Sequence, residues 1–216
     1  MIPIELHNII QNYVFDIKYK IYIYNLSKEH QNYIKIIDLY DVDNTLLKKI
    51  TQEILIQPKF KYIQKLNIHN NFKVFDISHL SNTLKVLDCG GNLSNIKQND
   101  ILQLNLIELY MQNNRYIDNL NHMKNTLTTL DCSVAIRSYN CRRFLRILIK
   151  LGQDGISKLN LIKLKASNNV HINNINFMKN TLKYLDCSGF SKINENGIAD
   201  LRLIELVTKN NINFIY

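Results

Sequence analysis

Residues 82–92 read NTLKVLDCGGN, and the phrase returns as NTLTTLDCSVA at 125–135 and as NTLKYLDCSGF at 180–190. Between the copies runs a second phrase: LNLIELYMQNN at 104–114, LNLIKLKASNN at 159–169 and LRLIELVTKNN at 201–211. Two phrases alternating at a near-constant spacing mark an array of stacked units rather than one closed core. Arrays present extended surfaces more readily than closed pockets, so the pattern points to binding and away from catalysis.

Superimposing the copies gives one frame, L-x-x-L-x-[small or apolar]-x-x-N. Its rungs start at Leu84, Leu106, Leu127, Leu161, Leu182 and Leu203. Ile63 (with Leu66, Ile68 and Asn71) and Ile34 (with Ile37 and Leu39) extend it upstream, at successive intervals of 29, 21, 22, 21, 34, 21 and 21 residues. The L-x-x-L-x-L portion forms a short strand whose alternate side chains enter a shared core while the others face out. One rung cannot bury its apolar edge, whereas stacked rungs can. The frame resembles the leucine-rich repeat and covers residues 34–216 in about eight rungs. That resemblance implies an α/β solenoid with a curved parallel sheet on the concave side and short helices or turns on the convex side.

Composition sets the outer bounds. A chain of 216 residues with 46% hydrophobic and 21% charged residues buries a sizeable core and matches an ordinary soluble domain. The bias is toward Asn (31) and Ile (32), with no Trp and two Pro. No stretch approaches the roughly 20 apolar residues that span a bilayer, and MIPIELHNII lacks a basic leader before its apolar run. A cytoplasmic address and no membrane span are the expectation.

The frame explains residues that otherwise suggest chemistry. Asn71, Asn92, Asn114, Asn169 and Asn211 fall at the bend after the strand, where a short amide satisfies backbone groups that the turn leaves unpaired. Ala135 and Phe190 interrupt that ladder, and the rung of Ala135 opens the longest interval. Cys89, Cys132 and Cys187 take the third inward position of alternate rungs as small buried hydrophobes. Two rungs apart at about 4.8 Å per strand, they lie beyond the ~7 Å reach of a disulfide. No C-x-x-C pair and no adjacent His completes a zinc site, so neither metal nor cofactor is expected.

The connections alternate too. NIKQNDILQL (95–104), LGQDGISKL (151–159) and SKINENGIADL (191–201) follow the LDC rungs, with apolar spacing suited to short helical turns. RYIDNLNHMKN and VHINNINFMKN follow the NN rungs, matching Leu120 and Met123 with Ile175 and Met178. LDCSGFSKINENGIADL resembles the cysteine-containing leucine-rich repeat common in F-box proteins.

Residues 2–14, IPIELHNIIQNYV, resemble the opening of an F-box through Ile2, Pro3, Glu5, Leu6, Ile9, Ile10 and Tyr13. Pro3 suits a helix's first turn, Glu5 its positive end, and the apolar members one stripe. The same stripe suits a helix that caps the first rung. After Tyr13 the match thins, leaving 1–33 as an F-box-like or capping segment. The resemblance implies a non-catalytic adaptor. Its first helix, through Ile2, Pro3, Glu5, Leu6, Ile9 and Ile10, would dock on the adaptor subunit of a cullin-type ubiquitin ligase while the solenoid holds the protein to be modified. The box, the Asn and Ile bias and the LDCSG phrase together resemble repeat proteins of giant DNA viruses of amoebae, which implies a host cytoplasm. A stand-alone repeat module is the other reading.

The net charge of +9 is unevenly placed, since residues 133–165 alone carry +7. They belong to the long rung at 127–160 and its neighbour, where Arg137, Arg142, Arg143, Arg146 and Lys150 cluster. From Tyr139 to Leu151 the spacing predicts an amphipathic helix on the convex side, with Arg142, Arg146 and Lys150 as a stripe. Such a stripe is either a solvated face or a dock for an acidic partner, anionic lipid or nucleic acid.

The concave side is mixed in charge. Its outward positions form one file of Asp38, Asn67, Asp88, Tyr110, Asp131, Lys165, Asp186 and Val207, and a second of Ile36, Lys65, Val86, Glu108, Thr129, Lys163, Tyr184 and Glu205. Asp88, Glu108, Tyr110, Asp131, Lys163, Lys165, Tyr184, Asp186 and Glu205 are the candidate partner contacts. A phosphate backbone favours a basic groove, so a protein or peptide is the better ligand there and no small-molecule substrate is implied. No H-E-x-x-H, glycine-rich phosphate loop or oriented nucleophile supports an enzyme. The final NNINFIY leaves Phe214, Ile215 and Tyr216 either to fold over the last rung or to leave an association surface.

Overall fold

A computed structural model of the chain describes residues 35–41, 44–135 and 149–214. Within it the L-x-x-L frame produces eight short strands: β1 Asp38–Leu39, β2 Lys65–Asn67, β3 Val86–Asp88, β4 Glu108–Tyr110, β5 Thr129–Asp131, β6 Lys163–Lys165, β7 Tyr184–Asp186 and β8 Glu205–Val207. They form one parallel sheet in strictly sequential order, each strand pairing only with its chain neighbours. The molecule is an α/β solenoid.

Register comes from the second leucine of each rung. Leu39, Leu66, Leu87, Leu109, Leu130, Leu164, Leu185 and Leu206 stand opposite one another across the sheet. A shift by one residue would turn every one of these side chains to solvent, so the stack of leucines pins the pairing. The first seven are buried, whereas Leu206 on the last strand is 42% exposed. Leu84, Leu106, Leu127, Leu161 and Leu182 complete the inner wall beside them.

The first rung departs from the expected frame by two residues. Asp38 pairs with Lys65 and Leu39 with Leu66, which puts Ile36, rather than Ile34, in the column of Ile63. Ile36 is fully buried and Ile37 is exposed, the reverse of their expected roles. Ile34, Ile37 and Leu39 offered three apolar residues at the right spacing, but that frame would leave Ile36 in water. The adopted frame buries Ile36 and sets Asp41 in the third inward slot, where the outer rung leaves it exposed to solvent. Asp38 therefore joins the file of Lys65 and Glu108, and Tyr40 takes its place beside Asn67.

The return stretches alternate as their sequences do. Short helices follow the strands of odd rungs: α1 Asn44–Leu47 and α2 Gln52–Leu55 after β1, then α3 Gln98–Ile101, α4 Gln153–Ile156 and α5 Glu195–Ile198 after β3, β5 and β7. Single 3-10 turns at Ser78–Leu80, Asn121–Met123 and Asn176–Met178 follow β2, β4 and β6. Leu80, Met123 and Met178 point inward at equivalent positions and are buried.

Polar side chains hold the rungs together on both flanks. On the helical side the first residue of a helix reaches to the next rung. Gln52 donates Nε2–H to the Asp76 carbonyl (2.8 Å) and accepts from the Phe75 and Asp76 amides. Gln98 does the same to Asn119 and Asp118, and Gln153 to Asn174 and Asn173. One amide side chain thus satisfies three backbone groups of a neighbouring turn that has no ladder partner.

At the bend after the strand the NN doublet divides the work. Asn114, 1% exposed, donates Nδ2–H to the carbonyls of Cys89 (3.2 Å) and Ile96 (3.1 Å), while its Oδ1 accepts from the Tyr116 amide. Asn71, Asn169 and Asn211 repeat this backward reach to the preceding rung. The Asn before each of them, at positions 70, 113, 168 and 210, has φ between 55° and 59°, the left-handed region that Asn tolerates better than most residues. These first asparagines reach forward: Asn113 Oδ1 accepts from the Ala135 amide (2.9 Å), and Asn168 Oδ1 from the Phe190 amide (2.9 Å). Asn92, placed by its spacing at the same bend, is exposed.

Candidate functional site

The outward sheet face is built from the residues that flank the inward leucine of each strand. Because the period is two, the residues flanking each buried leucine face away from the core. One file runs Asp38, Lys65, Val86, Glu108, Thr129, Lys163, Tyr184, Glu205. The other runs Asn67, Asp88, Tyr110, Asp131, Lys165, Asp186, Val207, with Tyr40 beyond Asn67. All nine sequence-derived contact candidates lie in these two files.

Their environments differ. Lys163 and Glu205 are exposed, and Asp88, Glu108, Tyr110, Lys165, Tyr184 and Asp186 are half-buried. Asp131 is only 3% exposed, with Oδ2 accepting from Gln112 Nε2 (2.9 Å) and Oδ1 from the Ser133 amide (3.1 Å). It shapes the floor of the face and offers little to a partner. Asp88, Asp131 and Asp186 each accept from the amide two residues on, so the aspartate of the LDC phrase also closes the turn after its strand. Ser188 Oγ–H adds a second bond to Asp186 Oδ1 at 2.6 Å.

Toward the first rungs the face becomes aromatic. The rings of Tyr40 and Tyr110 meet with centroids 5.9 Å apart and planes at 54°. Tyr110 Oη–H donates to Glu108 Oε2 at 2.6 Å, fixing the ring over the sheet. Burial first, then the charges of Asp88, Glu108, Asp41 and Asp131, push the Tyr40 phenol up to about 12. Burial and the Glu108 bond push Tyr110 further in the same direction. Both therefore stay neutral phenols near pH 7. His69 Nδ1 lies 3.1 Å from Asp88 Oδ1, and that bond raises the imidazole against the opposing effect of its burial.

Tyr40 and His69 are the members that the sequence frame missed. Tyr40 was hidden by the two-residue slip of the first rung. The signal was the match of Ile36-x-x-Leu39 to Ile63-x-x-Leu66, obscured by Asp41 in an apolar slot. His69 sits beyond its strand, where the frame assigns no outward file. A groove of about 880 Å³ opens beside this end, lined in part by Asn67, His69, Asp88, Phe72 and Leu93.

The three described thiols sit in the scaffold. Cys89, Cys132 and Cys187 are buried and free. Burial pushes the thiols of Cys132 and Cys187 up to about 12 and that of Cys89 further, so none of these three is a thiolate at neutral pH. Among the described residues no group of three or more His, Cys, Asp or Glu gathers to hold a metal, and no helix is long and apolar enough to cross a membrane.

The other candidate sites fall mostly elsewhere. Lys150 is exposed, while Arg137, Arg142, Arg143 and Arg146 lie outside the described residues. The F-box-like residues Ile2, Pro3, Glu5, Leu6, Ile9 and Ile10 lie outside them as well, as do Ile215 and Tyr216. Phe214 packs against the core as a half-buried residue. No protein-family model matches the chain, and no curated protein matches it either.

Proposed function

We propose that the chain is a non-catalytic protein-binding module of the leucine-rich repeat kind, and that its N-terminal segment makes it an F-box-like adaptor. The solenoid holds a target protein on its concave face, and residues 2–14 dock on the adaptor subunit of a cullin-type ubiquitin ligase in the cytoplasm, a host's if the protein is viral. The observation that carries the binding reading is the sheet itself. Eight in-register strands present two continuous files of aromatic, acidic and basic side chains on a frame riveted at both flanks. A fixed array of this kind loses little freedom when a partner docks, which favours recognition over an extended surface. The adaptor reading rests on IPIELHNIIQNYV and on LDCSGFSKINENGIADL.

The test is capture of the ligase's adaptor subunit by the intact chain and by a Leu6→Asp, Ile9→Asp variant. The intact chain is expected to retain the subunit and the variant to lose it. Failure of the folded intact chain to bind leaves a stand-alone binding module, with residues 1–33 as a cap.

The concentration of +7 in residues 133–165 supports a second contact, to an acidic partner or nucleic acid through Arg137, Arg142, Arg143, Arg146 and Lys150. Replacing Arg142, Arg143 and Arg146 with Ser should then reduce retention most at low salt, where charge contacts are strongest. Unchanged retention removes this reading.

A further inference from the structure

The concave face changes sign along its length. The outward positions of β1 to β5 hold Asp38, Asp88, Glu108 and the nearly buried Asp131 against Lys65, β6 offers Lys163 and Lys165, and β7 and β8 return to acid with Asp186 and Glu205. In a chain of net charge +9, the first five strands are a local reversal. Within this tract the ring of Tyr40 meets that of Tyr110, with centroids 5.9 Å apart. Tyr110 is tied to Glu108, and Asp88 is tied to His69. The result is a half-buried aromatic pair bordered by carboxylates that are already oriented by their own hydrogen bonds.

Elementary electrostatics favours one class of ligand. The face of a phenol ring is electron-rich and attracts a cation placed over it, most of all a planar guanidinium that stacks as well. Neighbouring carboxylates offer the planar acceptors that a guanidinium engages in pairs. A polyanion would meet repulsion at the same place.

We propose that the Tyr40–Tyr110 pair, with Glu108 and Asp88, is the docking site for an arginine-bearing segment of the partner protein. This rests on the concave face being the binding surface and adds the chemistry of the partner. A segment crossing the rungs would lay its cationic residues over β1 to β5 and, where it continues, its acidic residues over Lys163 and Lys165 of β6. Charge complementarity therefore sets its place on the sheet.

The test uses the full chain and fluorescence polarisation with three probes: a Gly-Ser peptide bearing spaced arginines, the same peptide with glutamates, and oligo(dT). The arginine peptide is expected to bind best. Tyr40→Leu with Tyr110→Leu, which keeps the apolar bulk and removes the rings, should weaken it about tenfold. Tyr40→Phe with Tyr110→Phe should stay within about twofold, because the ring faces remain. Glu108→Gln should weaken the peptide several-fold and flatten its salt dependence. Equal binding by the leucine variant, or preference for the glutamate peptide or oligo(dT), overturns the proposal. Capture of the native partner separates the two levels of inference. Loss on Lys163→Ser with Tyr184→Ser but not on the leucine variant keeps the concave reading and removes the arginine site, whereas loss on neither removes both.

Discussion

The NN rungs and the LDC rungs share one strand register, yet they close the bend after the strand with different chemistry. Two positions after the third inward residue, the NN rungs place Asn70, Asn113, Asn168 and Asn210 at positive φ. At the same position two LDC rungs place Gly91 (φ 91°) and Gly189 (φ 67°). The alternation has a steric cause. A Cβ on Gly91 would collide with the side chain of Asn70, and a Cβ on Gly189 with that of Asn168. The Asn of one rung fills the space that the next rung's missing side chain leaves open. At Gly91 and Gly189 the rung therefore fits its neighbour only without a side chain, so at these two places the unit that repeats is a pair of rungs.

The third LDC rung, that of β5, breaks the rule. Its residue at that position is Val134, a β-branched side chain for which the left-handed region is unfavourable, and positive φ is not found there. This is the rung whose return stretch is longest and which carries the basic insertion. Asn113 and Asn168 still clasp its backbone from both sides, at the Ala135 amide and the Val134 carbonyl. The solenoid therefore tolerates the insertion without losing the pairing of β5 with β6.

The comparison predicts a graded set of stability effects. Asn114→Ala should be the most damaging, because it strands two buried carbonyls and a turn amide. Chemical denaturation should show a loss of about 3 kcal/mol, and a loss below about 1 kcal/mol would mean that water replaces the amide. Gly189→Ala comes next, at about 2 kcal/mol, from the cost of positive φ together with displacement of Asn168 from Phe190 and Val134. If Gly189→Ala and Ser188→Ala melt alike, the Asn–Gly complementarity is not a constraint. Asn92→Ala should stay within about 0.5 kcal/mol in the same assay, since its side chain is exposed despite occupying the same sequence slot as Asn114.

The smallest effect is a pH dependence. The Asp88 bond raises the pKa of His69 in the folded state, so the pair's contribution is fully present below the unfolded imidazole value. It is lost as pH rises through the folded value. Thermal melts between about pH 6 and 8 should show a shallow decline that His69→Asn flattens, and the slope should be slight because the imidazole is partly exposed. An identical slope in wild type and variant would assign the decline to other groups.

Much of this architecture was legible from spacing. L-x-x-L recurrence determined the strands, their parallel order and the buried places of Cys89, Cys132 and Cys187, because a period-two strand stacked on its own copies has one way to hide its leucines. The outward files came from the same parity, which brings Tyr110, Glu108 and Tyr184 to one face by alternation alone. Sequence by itself could not choose between two apolar frames for the first rung, since both scored three or nearly three matches. Tertiary packing chose by burying Ile36 on Ile63 and leaving Asp41 at the rim. Nor could spacing distinguish Asn92 from Asn114, which share a slot but not a neighbour. The bend of each rung is completed by the rung before or after it, so the role of a bend residue is decided by what is stacked beside it. The meeting of Tyr40 with Tyr110 belongs to the same class: it depends on how far a ring leans across intervening strands, and only the assembled sheet decides that.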